Sequence, residues 1–149
     1  VNLYGDNMPD SLNRGLPSDR FEIEWWLKSA RVADCARGEA HQLSRPALLA
    51  GGAQMANVAA LRPDGALFPT DADLSLDGET VLVEIPAEFQ AIKAADMALA
   101  HEWRMHTREL FQGYFERGYV VDGFISDRED GYRRNFYVLT LQEGSVWTF

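Results

Sequence analysis

The residues best spaced for chemistry stand between positions 20 and 27. There the chain reads Arg20-Phe21-Glu22-Ile23-Glu24-Trp25-Trp26-Leu27. A period of two sends Phe21, Ile23, Trp25 and Leu27 to one side and Arg20, Glu22, Glu24 and Trp26 to the other, the pattern of a half-buried strand. If the second side lines a cleft, its carboxylates bind or deprotonate an amine and Trp26 walls the site. The same pattern also describes an exposed sheet face with cross-strand ion pairs.

Three other constellations carry less. His101-Glu102-Trp103-Arg104-Met105-His106 has the composition of a zinc-protease helix but not its spacing. Two ligands on one helical face need positions i and i+4, about 40° apart; here they are i and i+5, about 140° apart. An exposed Glu102–His106 pair accounts for it. The acidic run Asp71 to Glu79 lacks the glycine and glutamate that a calcium loop needs at its sixth and twelfth positions, where Leu76 and Leu82 stand. It reads as a solvated loop before a strand. Cys35 has only Arg31 and Arg37 near it in sequence and reads as a buried or incidental thiol rather than a nucleophile. No Walker loop, nucleophile elbow or dinucleotide fingerprint occurs.

The elements that would hold such residues follow from the same patterning. Residues 1–4 read as a short strand and 5–19 as turns. Residues 29–37 read as a short helix stopped by Gly38. Residues 38–79 are broken by Gly and Pro every dozen residues or so; short strands at 55–60 and 66–68, or a loose excursion, are expected there. Thr80 to Ile85 is a nearly continuous apolar run, hence a buried strand, with Pro86 fit to open the next helix. From Ala87 to Arg117 only Gly113 interrupts a helical run. Asp96 is placed to cap a second segment whose Leu99, Trp103, Leu110 and Tyr114 share one side. Gly118 is a natural stop. Tyr119–Ile125 and Asn135–Leu141 read as strands joined by a charged loop over 126–134.

At 149 residues the chain suits one domain and buries roughly 68–70% of its unfolded surface without staples. A single cysteine fits a reducing compartment, so a cytoplasmic location is expected. The net charge of −9 argues against nonspecific nucleic-acid binding. No stretch has the length and apolarity of a membrane span or a secretory leader, so no membrane partner is expected.

Tyr4-Gly5, the run Leu12-Asn13-Arg14-Gly15-Leu16-Pro17-Ser18-Asp19-Arg20-Phe21 and then Glu24-Trp25 form an unusual series. It resembles a bacterial family of predicted acetyltransferases in the GNAT superfamily. Val83-Glu84-Ile85-Pro86, Trp103-Arg104, Thr107-Arg108, Tyr114-Phe115, Gly118-Tyr119 and Tyr137-Val138-Leu139 are similar too. The resemblance covers both ends of the chain and leaves 38–79 uninformative. It implies a mixed, splayed sheet flanked by helices, and transfer of an acyl group from acetyl-CoA or another acyl-CoA to an amine. In that family a Gln/Arg-x-x-Gly-x-Gly/Ala loop opens a helix upstream of the Tyr-Gly segment, and its N–H groups hold the pyrophosphate. No such loop occurs here. The resemblance therefore implies the C-terminal half of a longer family member, with 1–4 as a late strand of its core and no cofactor-binding residue in this chain. Asp19, Arg20, Phe21, Glu24 and Trp25 carry over as marker positions without a role.

The expected fold is α+β over a single domain, 1–149: a mixed, mostly antiparallel sheet with one long C-terminal helix, half of an acetyltransferase-like core. The expected function is the acceptor side of an acyl-CoA-dependent N-acyltransferase, with a small-molecule amine bound at Arg20, Glu22, Glu24 and Trp26 and no metal. The alternative is a noncatalytic interaction or dimerisation domain. In it the aromatic helix face of Trp103, Tyr114 and Phe115 and the tail with Trp147 and Phe149 pack on a second copy or on the missing N-terminal half.

Overall fold

A computed structural model describes residues 14–17, 19, 21–22, 33–34, 36–38, 43–129 and 131–142. The chain divides into two compact units, Val1–Leu43 and Ser44–Phe149. In the first, Ala33, Asp34 and Ala36 are helical and Gly38 follows with φ +73°, the left-handed turn expected of a helix stop. Phe21 and Glu22 lie outside regular structure and both are exposed. At these two positions the expected strand alternation is therefore not seen; the remaining strand positions, the 1–4 strand and the tail with Trp147 and Phe149 lie outside the described residues.

The second unit is α+β with a mixed sheet. Its elements are α1 (Arg45–Ala50), β1 (Gln54–Met55), β2 (Ala60–Leu61), β3 (Leu67–Phe68), β4 (Thr80–Ile85), α2 (Phe89–Ala95), α3 (Met97–Glu116), β5 (Tyr119–Glu129) and β6 (Tyr132–Leu141). The sheet order is β1-β4-β6-β5, while β2 and β3 pair separately. β1 runs parallel to β4; β4 with β6, and β6 with β5, are antiparallel.

β4 is buried from Val81 to Glu84 because helices cover both faces, which is why its sequence does not alternate. Val81 and Val83, with Leu139 and Tyr137 opposite them, face Leu110, Phe111 and Tyr114 of α3. Leu82, Phe136, Val138 and Ile125 form the core of the other face, against Leu48 of α1 and Met55. Arg45 closes that side, with Cζ 4.9 Å from the Phe136 ring centroid and ion pairs to Asp127 and Glu129.

The helix break lies where the capping residue puts it. Asp96 sits in extended conformation between α2 and α3, and its Oδ1 accepts from the Leu99 N–H at 3.1 Å. Arg62 holds the other carboxylate oxygen at 3.0 Å. Gly118 stops α3 with φ +93°. The aromatic face of α3 is core: Trp103 and Tyr114 are 1% and 0% exposed, which overturns their expected place on a partner surface. Only Phe115 of that group is exposed.

Other expectations change too. Residues 54–68 are no excursion, since Ala56, Asn57, Ala59 and Leu67 are buried and Trp103 Nε1 donates to the Leu67 carbonyl at 2.9 Å. Pro46 does not break the chain but stands in the first turn of α1, where its missing N–H costs nothing. Pro86 does not open a helix; it stays buried at the end of β4, and α2 starts at Phe89 after a turn. The charged stretch 126–134 is not a loop. Its residues pair from Ser126↔Asn135 to Glu129↔Tyr132, leaving only Asp130 and Gly131 between the strands, with Gly131 at φ +83°.

Candidate functional site

The site begins where two parallel strands part. β1 pairs with β4 at only two positions, Gln54↔Val81 and Met55↔Leu82, and one further backbone bond joins Ala56 N–H to the Leu82 carbonyl at 2.9 Å. Beyond it the chain leaves β4, and side chains take over the pairing. Asn57 Oδ1 accepts from the Glu84 N–H at 2.8 Å, and its Nδ2 donates to the Glu84 carbonyl at 2.9 Å. The amide thus replaces one residue of strand. Its Nδ2 also lies 3.0 Å from Nε2 of His106 on α3.

On the other side of β4 the Glu84 carboxylate, fully buried, fills the wedge. Its Oε2 accepts from the Ala59 N–H at 2.7 Å and from Arg134 Nη2 at 2.8 Å, and its Oε1 accepts from Arg134 Nε. Arg134 Nη2 also donates to the Ala59 carbonyl at 3.1 Å. Glu84 pairs with Phe136 across the β4–β6 ladder, so Arg134, two residues away on β6, lies on the same face. A buried carboxylate needs a bidentate cation and a backbone donor, and it has both. The Glu84 hydrogen bonds hold the Arg134 guanidinium pKa above its ordinary value, against the lowering effect of burial.

His106 joins this knot to an open cleft of about 640 Å³ along α3. The cleft is lined by Glu102, Met105, His106, Arg108, Glu109 and Gln112 from the helix and by Pro69, Thr70 and Asp71 opposite. The helical spacing explains the set, because 102, 105, 106, 109 and 112 recur at steps of three and four. Pro69–Asp71 is the start of an extended strap. Ala72, Leu74 and Leu76 turn to the core while Asp71, Asp73, Ser75 and Asp77 are exposed. Tyr114 and Arg117 fix the strap through the carbonyls of Asp73 and of Leu74 and Leu76. The solvated acidic loop expected here is therefore half core.

The arrangement favours a cation. Asp71, Glu102 and Glu109 supply three carboxylates to one cleft. His106 is half-buried, and burial pushes its pKa below the ordinary value against the opposing pull of Glu109 and Glu102. Among the described residues no group of three or more His, Cys, Asp or Glu is placed to hold a metal. No helix among them is long and apolar enough to cross a membrane.

Of the residues expected to form the site, Arg20, Glu24 and Trp26 lie outside the described residues, and Glu22 is exposed in the first unit. The residues brought together here were missed for identifiable reasons. Glu84 signals itself as the one carboxylate in Thr-Val-Leu-Val-Glu-Ile, a run too apolar to leave it unpaired. His106 stood in a motif rejected for metal binding. Asn57 had no signal, since its role depends on where β1 departs from β4. No protein-family model, curated protein or solved structure matches this chain.

Proposed function

We propose that this chain supplies the acceptor side of an acyl-CoA-dependent N-acyltransferase and holds a small cationic amine in the cleft along α3. The observation that carries the reading is the placement of Asp71, Glu102 and Glu109 around one cleft beside the point where β1 and β4 part. The mixed sheet with a long helix and a following hairpin supports it, as does the resemblance in the Asn13–Phe21 run and the second half of the chain. The carboxylates concentrate the ammonium and orient its nitrogen. Acyl transfer to such an amine needs a proton acceptor and no covalent nucleophile on the protein.

The cleft along α3 does not fit CoA itself. Its pyrophosphate seeks a free helix N-terminus or a basic cradle. The N-terminus of α3 is already taken by the Asp96 carboxylate, and the cleft is acidic.

Calorimetric titration with spermidine, beside N-acetylspermidine as a less charged control, tests the amine site. Saturable binding that weakens at least tenfold in the double variant Glu102→Gln/Glu109→Gln is expected. Equal binding by both proteins removes the cleft from the reading. Thiol release from acetyl-CoA that depends on added amine tests the transferase assignment separately.

One observation favours a second reading, an interaction domain. Among the described residues β5 ends the sheet order, and Phe124 at its middle is 48% exposed, with Phe115 also exposed. Static light scattering across a hundredfold concentration range decides it: a constant monomer mass excludes self-association, and a mass that doubles supports it.

A further inference from the structure

The orientation of the Asn57 side chain is fixed by the strand beside it. Reversing the amide would set its NH₂ against the Glu84 N–H and its oxygen against the Glu84 carbonyl. With one Nδ2 hydrogen given to that carbonyl, the second is left for His106 Nε2 at 3.0 Å. A donor at that distance requires a lone pair on Nε2. We infer that Asn57 is a positioning residue that holds His106 as a neutral imidazole with its proton on Nδ1, and that this contact is an acid-sensitive latch between the cleft helix and the segment leaving β1.

An imidazolium would turn Nε2–H against the Asn57 N–H, two donors with no acceptor between them. The charges around the ring do not all favour the neutral form. Glu102 and Glu109 on α3 and Asp71 across the cleft favour a cation, and Arg108 opposes one. Behind Asn57, Glu84 and Arg134 neutralise each other. Burial and the Asn57 donor act against protonation, and the edge of the Trp103 ring system, 5.7 Å away between centroids, limits where the imidazole can turn. Two consequences follow. With Nε2 taken by Asn57 and the proton on Nδ1, neither ring nitrogen is free to accept, so His106 is not the base for an amine bound in the cleft. On acidification Asn57 loses its second acceptor, and its grip on Glu84 loosens. The latch is made by residues of this chain alone and needs no ligand in the cleft.

Long-range ¹H–¹⁵N correlation of the imidazole rings in the labelled full chain, followed against pH, tests this. The signal of His106 is assigned by its loss in His106→Gln. The expected pattern is a neutral Nδ1–H tautomer with a midpoint below about 6.5, and hydrogen-exchange protection at Glu84 and Ala59 that drops through the same midpoint. Asn57→Ala should raise the midpoint. Should that variant fail to fold, His106→Gln decides, because its side-chain carbonyl accepts from Asn57 at any pH. It should keep the protection and lose the pH step. An Nε2–H tautomer, a midpoint at or above 6.5, or a pH step that persists in His106→Gln overturns the latch.

Discussion

Glu84 and Arg134 join β4, β6 and the segment through Ala59 by four hydrogen bonds. Removing one partner strands the other charge in the interior, which typically costs about 3–5 kcal/mol. Arg134→Ala should lose about that much in urea unfolding, and Glu84→Ala a similar amount. The pair Glu84→Met/Arg134→Met should recover most of it, because no charge is then left alone. His106 sets a second expectation. Its folded pKa lies below its unfolded value, so its stabilising contribution is complete above about 6.5 and declines as pH falls toward the folded value. Urea midpoints in wild type should therefore fall more steeply with acidification in that window than in His106→Gln. At this scale the sequence was partly legible. A glutamate inside an apolar run announces a buried partner, but which arginine answers it depends on the β4–β6 register. Asn57 is readable only once β1 is seen to leave the sheet.

β4 and α3 were the most legible elements. Asp96 and Gly118 mark the two ends of α3 by chemistry that acts within a few residues. Gly118 adopts φ +93°, so Gly118→Ala should cost about 1–2 kcal/mol, with Gly118→Asn costing less. Asp96→Ala should lower the melting temperature and reduce helical circular dichroism through fraying at Leu99, and it leaves Arg62 paired with Asp64 alone; Asp96→Ser should keep the cap. The errors fell where one signal had two meanings. Proline punctuates a coil but also opens a helix, as Pro46 does in α1. Charged residues mark a loop but also the solvent end of a long hairpin, as Asp127, Arg128 and Glu129 do.

For the molecule as a whole, the net charge of −9 sets self-repulsion against compactness. Adding sodium chloride from about 0.01 to 0.15 M shortens the screening length from about 30 to 8 Å, so the melting temperature should rise over that range. A flat response would mean that local ion pairs such as Arg62–Asp96 and Arg45–Glu129 already balance the field. The general class was legible from composition and patterning. The site was not, since it is assembled from β4, β6, α3 and the segment after β1. The short connection between Glu129 and Tyr132 has a kinetic meaning as well. It lets β5 and β6 meet by a local search, on the order of microseconds for a hairpin, whereas β4 reaches β6 only by closing a much longer loop. The hairpin should form first and offer β6 as the template on which β4 docks. Substitutions at Ile125 should then slow folding, and substitutions at Met55 should chiefly speed unfolding.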